Sequence, residues 1–131
     1  MFKKGDDMRQ DAIILQLFNI MDIALKEVGL NCKFSIYNLI AFTNDDGMLP
    51  FVPDSKEVTE ILKTAEYGKT ISGYFKVKAK EHAKIYKHGD MGKSEEQIIQ
   101  ERYDEILENY IVSSAGYATA TFLLGIGDRH L

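Results

Sequence analysis

The chain has 131 residues, of which 45% are hydrophobic and 27% are charged, as is ordinary for one soluble globular domain. Its 16 Lys and Arg residues against 20 Asp and Glu residues give a net charge of −4, which argues against nucleic acid as a partner, because a broad nucleic-acid surface needs a basic excess. Cys32 is the single cysteine, so no intramolecular disulfide can form. The sequence has no apolar run like that of a signal peptide or a membrane-spanning helix.

The first predicted element is an amphipathic helix over residues 11–28. Its apolar residues recur at steps of three and four, which places them on one face. These residues are Ile14, Leu17, Phe18, Met21, Leu25 and Val28. Asp6, Asp7 and Asp11 lie at its front, where the helix dipole favours negative charge. Gly29 predicts the end of the helix.

A β-hairpin is predicted to follow this helix. Residues 33–42 are typical of a strand, and residues 48–52 would form its antiparallel partner. The intervening TNDDG sequence at residues 43–47 predicts a turn, because Asn, Asp and Gly tolerate the required dihedral angles. Pro50 lacks an N–H, so the second strand should lie at a sheet edge or leave the sheet there.

The sequence after the hairpin is less clearly patterned. A short helix is predicted to begin at Asp54, because Asp54 and Glu57 have the spacing of a capping box. Residues 66–92 are rich in glycine and lysine and favour neither helix nor strand. His82 and His88 lie in this stretch without the spacing of metal ligands, so no metal site is predicted within the chain.

A long helix is predicted from Glu95 to about residue 124. Ser94 and Gln97 form a capping box at its start. Small residues at positions 113–116 make the helix narrow, which would let a neighbouring element approach closely. A helix, a hairpin and then further helices together predict an α+β fold.

Two polar clusters are the candidates for chemistry: FKKGDDMRQD at residues 2–11 and LGIGDRHL at residues 124–131. Taken singly, they fit a capped helix start and a helix stop followed by a charged loop. Taken together, they resemble the phosphatidylinositol 3-/4-kinase family, whose blocks read FKxGDDLRQD and SCAGYxxxTxxLGxGDRH. This chain departs from those blocks at Met8, which replaces Leu, and at Ser114, which replaces Cys.

Within that family the chain looks most similar to the class III, vacuolar-sorting 3-kinases. The SxAGY segment and the Gly-Ile-Gly before Asp128 resemble the 3-kinases, and Leu131 and residues 50–52 resemble class III. Two other interpretations stay open. One is a non-catalytic kinase-like binding module, and the other is a 4-kinase or a protein-kinase relative.

The resemblance implies a partial, two-lobed protein-kinase-like fold. Residues 1–52 would form part of the N-lobe and the hinge, and residues 53–131 a helical part of the C-lobe that ends in the catalytic loop. In the family, the phosphate-binding loop precedes the position of Lys3. The magnesium ligands, the activation loop and a membrane-binding helix follow Leu131. The chain is therefore expected to be a fragment that is inactive alone.

The resemblance also assigns a set of nucleotide-binding residues. Lys3 matches the lysine that reaches the ATP phosphates, with Lys4 as the alternative if the alignment shifts by one position. Asp11 matches an acidic residue at the back of the nucleotide pocket, and Tyr37 matches the tyrosine beside it. Tyr37 equally suits a plain half-buried strand position.

Residues 48–52 match the hinge that holds adenine. The N–H of Val52 would bond the adenine, and Leu49 and Phe51 would line the same pocket. Both of these apolar residues also suit an ordinary core. Since the hinge acts through its backbone, variation of its side chains is tolerated.

Asp128 and His130 match the catalytic loop. His130 would lie near the γ-phosphate and the attacking inositol 3-hydroxyl, since histidine handles protons near neutral pH. The implied cofactors are ATP and magnesium, and the implied partners are phosphatidylinositol, regulatory subunits and a membrane contacted through regions outside this sequence. The implied location is cytoplasmic, peripheral on endosomal or autophagic membranes.

Overall fold

The computed structural model describes residues 1–85 and 92–127. In chain order the elements are β1 (Phe2–Lys4), α1 (Arg9–Glu27), β2 (Ile40–Ala41), β3 (Asp46–Met48), α2 (Val58–Lys63), a 3₁₀ turn (Ala65–Tyr67), α3 (Ile71–Ile85) and α4 (Glu95–Leu123). They form two compact units. The first unit contains residues 1–54 and 113–127, and the described part of the second unit is residues 55–85 and 92–112. The predicted α+β class is confirmed.

The first unit contains a three-stranded antiparallel sheet in the order β1-β3-β2. Gly47 of β3 is opposite Lys3 on one side and Ala41 on the other. A Cβ at Gly47 would come within 2.8 Å of both the Ile40 carbonyl oxygen and the sulfur of the buried Met8. Glycine is therefore required where the sheet meets the chain that leads into α1.

The turn predicted at residues 43–47 joins β2 to β3. The N–H of Phe42 donates to the Asp46 carbonyl at 3.1 Å. The Thr43 hydroxyl donates to the Asp46 carboxylate at 2.6 Å. One backbone bond and one side-chain bond thus close a turn at the place where the sequence predicts it.

The two strands of the hairpin are shorter than predicted. The strand over residues 33–42 is reduced to Ile40–Ala41, because Lys33 has a left-handed φ of 55° and the residues after it lie against helices instead of in a ladder. The second strand, predicted over residues 48–52, is Asp46–Met48. One further contact joins the Leu49 N–H to the Met1 carbonyl at 3.0 Å. Pairing then ceases at Pro50, which has no N–H to donate.

Helix α1 confirms the amphipathic prediction, with Phe18 as its buried apolar residue. It ends at a glycine with φ of 82°. The N–H of this Gly29 donates to the Lys26 carbonyl at 3.0 Å. The N–H of Leu30 donates to the Leu25 carbonyl at 2.9 Å. A pair of backbone hydrogen bonds of this kind is typical of a helix that ends at a left-handed glycine.

The capping box predicted at Asp54 is wrong. Asp54 has a left-handed φ of 53°, and α2 begins only at Val58. Glu57 occupies the N-cap position without a side-chain cap bond. The physical reason is that Asp and Asn are among the few residues that adopt left-handed dihedrals readily, so Asp54 serves the turn before the helix.

Helix α3 occupies most of the stretch for which the sequence favoured no structure. Its buried residues are Phe75, Ala79 and Ala83, which recur every four positions. Ile61, Tyr67 and Ile98 are the other buried apolar residues of this unit. Two alanines in a narrow buried stripe among exposed lysines give a weak hydrophobic signal, which explains why the helix was not predicted.

Helix α4 is the longest element, with 29 residues. Its predicted capping box is confirmed. The Gln97 N–H donates to the Ser94 hydroxyl at 3.2 Å, and the Ser94 N–H donates to the Gln97 side-chain oxygen at 2.9 Å. Gly125 follows the helix with a φ of 63°. Among the described residues, no helix has the length and apolar character to cross a membrane.

Candidate functional site

Lys3 lies on β1, an outer strand of the sheet, with half of its side chain exposed. Its ammonium donates to the Asp6 carboxylate at 2.6 Å. This hydrogen bond, with the charge of Asp6 and a smaller contribution from the charge of Asp11, raises the pKa of Lys3. Lys3 therefore keeps its positive charge and lies on a strand of the sheet. Because an exposed ion pair of this kind is weak, Lys3 can exchange Asp6 for another anion.

Asp11 and Tyr37, the two residues predicted for the back of the nucleotide pocket, lie in different surroundings. Asp11 is exposed in the first turn of the helix. Tyr37 is half-buried and lines a small cleft between α1 and residues 36–39. The α1 side of this cleft is formed by Ala12, Leu15, Gln16 and Asn19. Its volume of about 60 Å³ is well below the several hundred Å³ of sites that enclose a cofactor, so the cleft alone is not a nucleotide site.

Of the predicted hinge residues 48–52, Met48 is the last residue of β3 and the others have no regular secondary structure. Leu49 is half-buried, and its carbonyl accepts a hydrogen bond from the Met1 amino group at 2.7 Å. Phe51 is 75% exposed and Val52 is 40% exposed. The interpretation of Phe51 as an ordinary core residue is therefore wrong for this structure, because its ring is not covered.

The two predicted catalytic residues, Asp128 and His130, lie outside the described residues. The described chain reaches Gly127, directly before Asp128. The N–H of Ile126 donates to the Thr121 carbonyl at 2.9 Å, which closes the end of α4. The Lys4 alternative is exposed on β1 beside Lys3. Within residues 1–85 and 92–127, no group of three His, Cys, Asp or Glu side chains is arranged to hold a metal ion.

The first motif also contains an ion pair that the sequence patterns did not single out. The Arg9 guanidinium donates two hydrogen bonds to the Asp7 carboxylate, at 2.9 Å from Nε and 2.6 Å from Nη2. The Arg9 N–H donates to the same carboxylate at 3.1 Å. These bonds lower the pKa of Asp7 to about 2. The pair fixes the chain where it enters α1, next to Asp11.

The Asp7 carboxyl is expected to titrate with a midpoint near 2, compared with its ordinary 3.8. Because the pKa is lowered on folding, the pair stabilises the fold fully above pH 3.8 and loses this contribution as the pH falls through 2. An NMR titration of the side-chain carbons would measure the midpoint. Arg9→Gln should return it towards 3.8, whereas an unchanged midpoint in that variant would contradict the assigned cause.

A second group of residues was not assigned a role by sequence reasoning. Phe18, Phe34 and Tyr117 form an aromatic cluster, with ring centroids 5.9 Å apart for the stacked Phe18–Phe34 pair and 4.9 Å apart for the edge-on Phe34–Tyr117 pair. The Tyr117 hydroxyl accepts a hydrogen bond from the Ser35 N–H at 2.9 Å. Gly116 is buried beside this cluster. The AGY sequence at residues 115–117 of the second motif was the available signal for this cluster. From it, however, only a narrow helix was predicted.

Comparison with known proteins identifies the family. The family model described as phosphatidylinositol 3- and 4-kinase matches residues 1–131. The chain is 38% identical over 130 residues to the root isoform of phosphatidylinositol 3-kinase from Glycine max, which covers 99% of this chain and 14% of that protein. It is 36% identical over 130 residues to phosphatidylinositol 3-kinase VPS34 from Arabidopsis thaliana, with the same coverage.

A third relative is the phosphatidylinositol 4-phosphate 3-kinase C2 domain-containing subunit alpha from Pongo abelii. It is 39% identical over 132 residues, covering 99% of this chain and 7% of that protein. The chain thus spans one seventh or less of the length of these relatives. Because the family model covers all of its residues, the chain belongs to the phosphatidylinositol 3- and 4-kinase family.

Proposed function

We propose that this chain is part of a lipid kinase that transfers the γ-phosphate of ATP to the 3-hydroxyl of phosphatidylinositol. The observation that carries the proposal is the match along the whole chain to relatives named phosphatidylinositol 3-kinase. The resemblance to class III further favours a cytoplasmic enzyme that acts on endosomal or autophagic membranes with regulatory subunits.

In this proposal Lys3 binds the ATP phosphates. Positive charge that is fixed before the reaction stabilises the charge that develops on the transferred phosphoryl group. The position of Lys3 on β1 supports this role, since its partner Asp6 is only half-buried and can release it. Asp11 contributes to the charge around Lys3 and would lie at the back of the same pocket, with Tyr37 beside it.

The remaining roles follow from the family motifs. The Val52 N–H bonds the adenine, and Leu49 and Phe51 lie against its ring. The exposure of Phe51 favours this role over a place in the core. Asp128 and His130 act at the attacking hydroxyl.

The larger arrangement follows the same motifs. Residues 1–52 belong to the N-lobe and hinge, and residues 53–131 to the C-lobe. Magnesium would neutralise charge on the phosphates through ligands that lie outside this chain.

The proposal is tested with the complete protein that carries this chain, using phosphatidylinositol vesicles, magnesium and radiolabelled ATP. Lys3→Met should lower kcat/KM roughly 30-fold, because a charge-assisted bond to phosphate contributes about 2 kcal/mol. Lys4→Met is the matched control, since it removes the same charge from the neighbouring position on β1. It should remain within about twofold of the wild type.

The position of the transferred phosphate is read from the deacylated product. A 3-phosphate supports the proposal. A 4-phosphate, or no phosphorylated lipid at all, contradicts it. If Lys4→Met and not Lys3→Met removes the activity, the role given to Lys3 is wrong.

A further inference from the structure

We infer that Tyr117 is a positioning residue, which holds residues 32–39 in place and through them positions Tyr37 at the nucleotide pocket. This inference rests on the proposed function for its kinetic consequence. Residues 32–39 are here named the pocket segment, which contains Tyr37 and of which residues 36–39 line one side of the cleft against α1. The segment has no helical or strand structure of its own.

The backbone of the pocket segment is held by a side chain instead of by a neighbouring strand. The Tyr117 hydroxyl accepts from the Ser35 N–H at 2.9 Å and lies 3.4 Å from the Ser35 carbonyl oxygen, to which it donates. One hydroxyl therefore bonds both the donor and the acceptor of a single residue. Ser35 is exposed and has no ladder partner, so these two bonds to the Tyr117 hydroxyl take the place of ladder bonds and restrict the backbone of the segment there.

The packing around Tyr117 fixes the position of this hydroxyl. Its ring meets Phe18 edge-on at 5.6 Å between centroids and Phe34 edge-on at 4.9 Å. At the adjacent Gly116, a Cβ would lie 2.7 Å from the Cys32 Cβ, so α4 and the pocket segment approach as closely as glycine allows. The phenol thus has little freedom, and the bond to Ser35 requires little further loss of entropy.

The position of Tyr117 in the chain gives this contact a functional meaning. Tyr37 is two residues beyond Ser35 in the pocket segment. Tyr117 lies on α4, and eleven residues later the chain reaches Asp128, which the family motif assigns to catalysis. The hydroxyl therefore ties the tyrosine of the nucleotide pocket to the helix that leads to the catalytic loop.

Tyr117→Phe keeps the ring and removes only the hydroxyl. In the complete protein we expect the Kd and the KM for ATP to rise about fivefold, because a hydrogen bond of about 1 kcal/mol no longer favours the binding-competent segment. The kcat should stay within about twofold, since no group that touches the phosphate is changed. ATP affinity is measured by competition with a fluorescent nucleotide, and KM by lipid phosphorylation.

Two matched variants serve as controls. Tyr103→Phe makes the same chemical change on the same helix, where the hydroxyl lies 3.0 Å from the Ser72 hydroxyl. Ser35→Ala removes a side chain but keeps the backbone groups that bond Tyr117. Both controls should leave the Kd for ATP unchanged.

Hydrogen exchange gives a readout that does not depend on catalysis. Peptides that contain Ser35 should exchange faster in Tyr117→Phe and at the wild-type rate in Tyr103→Phe. If Tyr117→Phe only lowers the Tm, with Kd, KM and local exchange unchanged, the positioning role is overturned. If the wild type binds ATP but phosphorylates no lipid, the proposed function is wrong, while the Kd and exchange measurements still decide the role of Tyr117.

Discussion

Phe18→Ala is expected to lower the free energy of unfolding by about 4 kcal/mol, in the range found when a buried aromatic ring is truncated. Phe18 is 8% exposed on α1. Its ring stacks on Phe34 at 5.9 Å and meets Tyr117 at 5.6 Å. Truncation removes both aromatic contacts and leaves a cavity at the point where α1, the pocket segment and α4 meet. Urea unfolding followed by circular dichroism would measure the change.

The control for this prediction is Ile20→Ala, two residues along the same helix. Ile20 is 61% exposed, so its truncation should cost well under 1 kcal/mol. A loss of similar size in both variants would mean that the Phe18 cluster is not a centre of stability. A shift confined to Phe18→Ala, with an unchanged dependence on urea concentration, would agree with the structure.

Gly116→Val is expected to cost about 3 kcal/mol, because a side chain must enter a contact that has no room for one. A Cβ at this position would lie 2.7 Å from the Cys32 Cβ and 3.3 Å from the Phe34 ring. Either α4 must move away from the pocket segment or the backbone of that segment must shift. Both responses separate the Tyr117 hydroxyl from Ser35. The same unfolding measurement applies, with hydrogen exchange of the pocket segment as the local readout.

Two further variants isolate the clash from general effects on the helix. Ala115→Val places the same branched side chain at the adjacent exposed position, and should cost only the few tenths of a kcal/mol of helix propensity. Gly116→Ala combined with Cys32→Gly removes the atom that the new Cβ would meet, so the pair should cost less than the sum of the single changes. Strict additivity of these two changes would refute the close approach.

The helices could be predicted where local patterns determine them. Ser94 and Gln97, which bond each other, lie three residues apart. The N–H groups of Gly29 and Gly125 each donate to a carbonyl three residues earlier in the chain. These interactions span one turn, so the sequence records them directly. Helix α3 lacked such signals, since two of its three buried residues are alanines.

The strands were less predictable because pairing depends on the neighbouring chain. Residues 33–39 contain apolar residues typical of a strand, yet they make their contacts through side chains and through the Tyr117 hydroxyl. The preference of such residues for strands reflects a half-buried surface more than an intrinsic backbone state. The surface that covers these residues belongs to helices, and no pattern within the segment reveals this.

The candidate site likewise has one part that the sequence predicts and one part that only the tertiary structure shows. The motifs predict roles for Lys3 and Asp11, and the chemistry expected of them follows from residue type and from family resemblance. The sequence by itself determined the family, the end of α1, the start of α4 and the turn, since these depend on residues close together in the chain. Only the tertiary structure decided that Tyr117 bonds Ser35, 82 residues away, because bringing such distant residues together depends on the packing of the whole unit.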